Sequence, residues 1–125
     1  MKIIVELETD KLENQSLVQV VKQITDSDDL DKLSRHDDAS VRMEVAENKN
    51  TSAETLNFLS KDENYMVRYV VASNKNTPEE ALYRLATEEN FIICERVAQR
   101  ERLSDRIKVA ISKREWICSS KLSYS

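Results

Sequence analysis

The chain contains no glycine and a single proline, Pro78. Tight β-hairpins draw on glycine for positive φ, so the composition argues against an all-β fold. Helices joined by short polar links need less of it, because asparagine also takes the left-handed helix C-cap. Without glycine there is no glycine-rich phosphate loop. Two cysteines, Cys94 and Cys118, do not make a disulfide framework. Neither has a histidine or further cysteine at ligand spacing, so no metal and no cofactor are expected, and both cysteines read as packing residues. No apolar run approaches a membrane span, and the N-terminus lacks a signal peptide's long apolar region. The expectation is a cytoplasmic protein without membrane contact, folded as one domain of 125 residues.

Charged residues make up 34% of the chain, which suits narrow units with much solvated surface. Their signs are unevenly placed. Residues 1–93 hold 11 Lys/Arg against 19 Asp/Glu, a balance of −8. Residues 94–125 hold 8 against 4, a balance of +4, so the two ends can face different partners.

What is present is a repeat. Residues 33–58 lie over residues 59–84 without a gap, and 12 of the 26 positions are identical. Among these are Val41/Val67, Arg42/Arg68, Val45/Val71, Ala46/Ala72, Asn48/Asn74 and Thr51/Thr77. A fixed period of this length marks stacked supersecondary units that share one core.

Each unit reads as two short helices. Thr51-Ser52-Ala53-Glu54 and Thr77-Pro78-Glu79-Glu80 have the form of a capping box, with threonine as N-cap and Pro78 at the first helical position. Thr25-Asp26-Ser27-Asp28 has the same form with aspartate for glutamate. The first helix then places Leu30/Leu33, Leu56/Leu59 and Leu82/Leu85 on one face. A polar break follows, in which Asp38, Asn64 and Asn90 are the natural N-caps of the second helix and neighbouring acids suit its N-terminus. The second helix carries Val41/Val45, Val67/Val71 and Ile93/Val97 on one face, and the small Ala46, Ala72 and Ala98 let neighbours approach.

The pattern degrades at both ends, as terminal units must cap the core. Ile3, Val5 and Leu7 alternate as in a strand. That segment either belongs to an irregular cap or pairs with a second copy or a partner's strand, so a monomer and a homodimer both stay open. Asn14 or Ser16 then caps a helix running through Leu17, Val21 and Ile24. The chain divides into an N-terminal cap over 1–24, repeats over 25–111, and a C-terminal cap and tail over 112–125.

The units read Leu-Ser-x6-Val-Arg-x-x-Val-Ala-x-Asn-x-Asn-Thr-x-x-Glu-x-Leu. This resembles the leucine-rich repeat variant family, a subset of HEAT-like and armadillo-like α-solenoids, over about residues 25–111. The resemblance implies an all-α, right-handed superhelix in which an α-helix alternates with a shorter or 3₁₀ helix. Some members hold an iron–sulfur cluster near the N-terminus through clustered cysteines. This chain has no cysteine before Cys94, so that cofactor is not carried over. The family implies no shared enzymatic activity, and fold alone does not give function.

No catalytic constellation is visible, and the chain is read as not an enzyme. His36 is the only histidine and stands in a polar turn without a nucleophile or an orienting carboxylate at a recognisable spacing. The stronger signal is variation at slots the stack does not fix, such as Ala39/Tyr65/Phe91, Ser40/Met66/Ile92 and Met43/Tyr69/Glu95. Tyrosine, methionine and arginine are typical of binding patches. The expected function is a non-catalytic protein–protein interaction scaffold, a small adaptor or inhibitor. Its partner would bind on the second-helix face through Arg42, Tyr65, Met66, Arg68, Tyr69, Phe91 and Ile92. The bland alternative is that these side chains pack between units.

Two further readings stay open. Arg96, Arg100, Arg102, Arg106, Lys108, Lys113 and Arg114, with Trp116 for stacking, suit a nucleic-acid backbone. Interleaved acids argue instead for a solvated capping helix. Asp26, Asp28, Asp29, Asp31, Asp37 and Asp38 form an acidic face that could block a basic, nucleic-acid-binding protein, although helix capping accounts for most of them.

Overall fold

A computed structural model describes residues 11–114. They form eight α-helices: α1 (Lys11–Val21), α2 (Ser27–Leu33), α3 (Ala39–Glu47), α4 (Ala53–Leu59), α5 (Tyr65–Ser73), α6 (Glu79–Thr87), α7 (Phe91–Ala98) and α8 (Asp105–Ser112). Among the described residues there is no strand and no 3₁₀ segment, and the fold is all-α. The strand expected at Ile3, Val5 and Leu7 lies outside the described residues. No helix among the described residues is long and apolar enough to cross a membrane.

The sequence period becomes a structural one. Helices α2, α4, α6 and α8 begin at residues 27, 53, 79 and 105, and α3, α5 and α7 at 39, 65 and 91. Helices of this length do not persist alone in water, so burial of one face against neighbours holds them. α1, α3, α5 and α7 pack each on the next, as do α4, α6 and α8, and α2, α4 and α6 each pack on the helix that follows. The core between them holds Leu30, Leu56, Leu59 and Leu85 from one set, and Val41, Val45, Val67, Val71, Ile93 and Val97 from the other, all with no exposed surface.

The second-helix caps stand as the sequence predicts. Asp38 Oδ1 accepts from the Ser40 N–H at 2.8 Å, Asn64 Oδ1 from Met66 at 2.8 Å and Asn90 Oδ1 from Ile92 at 2.9 Å. The first-helix caps do not. Ser52 accepts from the Thr55 N–H and Asp26 from Asp28, while Pro78 offers no side-chain cap. Thr51 and Thr77 face backwards instead, donating their hydroxyls at 2.6 Å to the carbonyls of Val45 and Val71. A hydroxyl both donates and accepts, and the Val45 and Val71 carbonyls, which take one bond each from the N–H of Asn48 and Asn74, have a second lone pair for it.

Helix α1 also departs from expectation. Among the described residues it already runs from Lys11, so Asn14 and Ser16 lie inside it and neither is its N-cap. Its buried pair is Leu17 and Val21. These precede Val41 and Val45 by 24 residues rather than 26, so the buried stripe of α1 stands two residues nearer to α2. Thr25 therefore misses the slot of Thr51 and is exposed.

Asparagines stitch each unit to the one before. Asn48 Nδ2 donates to the carbonyls of Val21 and Ile24, both at 3.0 Å. Asn74 Nδ2 repeats this toward Ala46 at 2.8 Å and Asn48 at 3.2 Å. Arg100 follows Asn74 by the same 26 residues, and its Nη1 donates to Ala72 at 2.8 Å and Asn74 at 3.0 Å. The apparent loss of the motif in the last repeat is thus a replacement of one donor by another. Leu103 takes the slot of Thr77 and packs on the core.

Candidate functional site

The site grows from the caps of α5 and α7. Asn64 and Asn90 fix where each helix starts, and the buried stripe begins two residues in, at Val67 and Ile93. At 3.6 residues per turn, the two positions before the stripe point away from it. Those positions hold Tyr65 and Met66, exposed by 47% and 37%, and Phe91 and Ile92, exposed by 49% and 43%. In α3 the same slots hold only Ala39 and Ser40. α5 and α7 pack directly on one another, so the two apolar pairs lie about 8–10 Å apart, one helix spacing.

Carboxylates border this patch. Glu63 and Glu89 are exposed in the turns just before the caps. An open depression of about 690 Å³ is lined by Arg68, Glu88, Glu89, Asn90, Phe91 and Ile92.

The two arginines expected in the patch are occupied within the chain. Arg42 Nε and Nη2 donate to the two carboxylate oxygens of Asp62 at 2.8 and 3.1 Å, and Nη1 to the carbonyls of His36 and Asp37 at 2.8 and 3.0 Å. The hydrogen bonds from Arg42 to Asp62 raise the guanidinium pKa above its ordinary value, against the effect of burial. Arg68 grips Glu88 through Nε at 3.0 Å and donates through Nη1 to the Asp62 carbonyl at 2.6 Å. These are clamps between consecutive turns, 20 residues apart in sequence. Tyr69 is half-buried and packs on the core. Of the seven patch residues read from the sequence, four stand free: Tyr65, Met66, Phe91 and Ile92.

The basic end is likewise partly engaged. Arg96 Nε donates to Ser73 Oγ at 2.7 Å, and Arg100 serves the carbonyls of Ala72 and Asn74. Burial, and then the charge of Arg96, lower the Arg100 pKa. Arg106 lies over the Tyr83 ring at 4.0 Å from its centroid. Arg114 is half-buried, and Arg102, Lys108 and Lys113 are exposed, while Trp116 lies outside the described residues. In the acidic region, Asp26 and Asp38 are caps and Asp31 accepts from Thr55 Oγ1 at 2.8 Å. Asp28, Asp29 and Asp37 are exposed. His36 Nδ1 accepts from the Asp38 N–H at 3.0 Å, which puts the proton of the neutral ring on Nε2. Cys94 is buried in the slot of Arg42 and Arg68, and Cys118 lies outside the described residues. No group of three or more His, Cys, Asp or Glu among the described residues is placed to hold a metal ion.

Sequence reasoning missed Phe58, 42% exposed beneath Arg35 at 4.2 Å, and gave Glu63 and Glu89 only a helix-capping role. The recurrence of an acidic pair at 62–63 and 88–89, of which only the first member meets an arginine, was the available signal. No protein-family model, no curated protein and no solved structure matches the chain.

Proposed function

We propose that this chain is a non-catalytic protein-binding scaffold of the leucine-rich-repeat-variant kind, its helix pairs winding as a right-handed α-solenoid in the cytoplasm. The partner seats on Tyr65, Met66, Phe91 and Ile92. One observation carries the reading: four large apolar side chains recur at equivalent positions of two directly packed helices, yet each keeps over a third of its surface in water. A stack has no need of them there, since α3 manages with Ala39 and Ser40. Aromatic and methionine side chains of this kind supply the buried anchors of protein interfaces.

The test compares wild type with Tyr65→Ser/Phe91→Ser as tagged baits in the native host, with and without nuclease. The reading expects a near-stoichiometric protein that survives nuclease, is lost with the variant, and leaves the thermal midpoint unchanged. A partner retained by the variant would overturn it. Bound material released by nuclease would move the function to the basic residues Arg102, Lys108 and Lys113.

A further inference from the structure

The charges around the apolar patch select among protein partners, and this inference rests on the docking face proposed above. Each turn before α5 and α7 has two acids. The first, Asp62 or Glu88, is held by Arg42 or Arg68. The second, Glu63 or Glu89, is exposed. Of the nearby cations, Arg68 is engaged and Lys61 is not. Arg68 is bound to Glu88, and its Nη1 is turned inward to the Asp62 carbonyl. Lys61 is exposed two residues before Glu63 and offsets part of the negative charge at the α5 turn, whereas no cation stands beside Glu89 in the sequence of the α7 turn. The helix N-termini add positive potential of about half a charge each. That potential is opposed by a whole carboxylate at each turn, and with Lys61 beside Glu63 the net negative charge of the rim lies at the α7 turn, at Glu89.

We infer that the occupant is a cationic amphipathic helix. Two large apolar side chains on its one face fill the sites at Tyr65/Met66 and Phe91/Ile92, and Lys or Arg beside them meets Glu63 and Glu89. The geometry agrees with a helix. Anchors at i and i+7 stand about 10 Å apart along its axis. The two sites stand about one interhelical distance apart, 8–10 Å.

Fluorescence anisotropy on the full chain tests this with two labelled helical peptides. They share one Leu/Phe stripe and differ only in a polar face of Lys or of Glu. The Lys peptide is expected to bind and the Glu peptide not to. Glu63→Gln/Glu89→Gln should weaken the Lys peptide roughly tenfold, the sum of two rim ion pairs, and flatten its salt dependence. Phe91→Ser/Ile92→Ser should abolish binding. Equal binding of both peptides, lost in Phe91→Ser/Ile92→Ser, would overturn the charge selection and leave the docking face standing. No binding of either peptide, or binding that no variant moves, would overturn the inference, and the bait comparison would then decide the docking face separately.

Discussion

At the scale of single residues, exposure separates clamps from contacts. Arg42 and Asp62 expose only 12% and 7% of their side chains, against 20% and 18% for Arg68 and Glu88. Removing one partner of a buried pair strands the other, at a cost of about 3–5 kcal/mol, and solvent access reduces that cost. Arg42→Ala should therefore destabilise by about 3 kcal/mol and Arg68→Ala by about 1–2 kcal/mol, read as shifts of the urea midpoint. Equal and negligible shifts would return both arginines to the docking face. The tyrosines divide in the same way. Tyr69→Ala removes a half-buried ring from the core and should cost about 2 kcal/mol. Tyr65→Ala, at a position 47% exposed, should leave the midpoint within error.

At the scale of elements, the helices were legible because two signals coincide: apolar pairs at i, i+3 or i, i+4, and capping residues at a fixed interval. The direction of the threonine hydroxyls was not legible. Thr-x-x-Glu reads as a capping box whether the oxygen accepts from the helix ahead or donates to the helix behind. Only the placement of the Val45 and Val71 carbonyls decides between them. The shift of the buried stripe in α1 was equally hidden, because Thr25 keeps the 26-residue spacing while Leu17 and Val21 do not. Of the candidate site, the exposed slots at 65, 66, 91 and 92 followed from the period, whereas the arginines at 42 and 68 looked free because their acids stand 20 residues away. A contrast follows. Thr77→Val keeps the shape but removes one of the two donors to the buried Val71 carbonyl, which keeps the Asn74 N–H, at a cost of about 1 kcal/mol. Thr25→Val should cost almost nothing, since that side chain is exposed. Equal effects in a denaturant titration would show that both threonines act as forward caps. Asn74→Ala should be costlier than either, because it removes the donor to the Ala46 and Asn48 carbonyls and the acceptor of the Asn76 N–H together.

At the scale of the whole molecule, every substantial helix contact joins elements no more than two apart in the chain. Stability in such an arrangement is a sum of unit and neighbour contributions, and disturbance travels only as far as the interfaces transmit it. Position along the chain should therefore matter more than burial. Val71 in α5 and Ile107 in α8 are 0% and 1% exposed, so by burial alone truncating either to alanine should cost a similar 2–4 kcal/mol. Their neighbours differ. α5 packs on both α3 and α7, whereas α8 packs on α6 and α7 at one end of the described chain. Amide hydrogen exchange on the two variants distinguishes the outcomes. Ile107→Ala should speed exchange in α8 and, less, in α6 and α7, while α3 keeps its protection. Val71→Ala should loosen α3 and α7 together, since it weakens the one helix that links them. Uniform acceleration by Ile107→Ala would mean that the eight helices open as a single block, and that the Asn48, Asn74 and Arg100 ladder couples the units more tightly than their apolar contacts do.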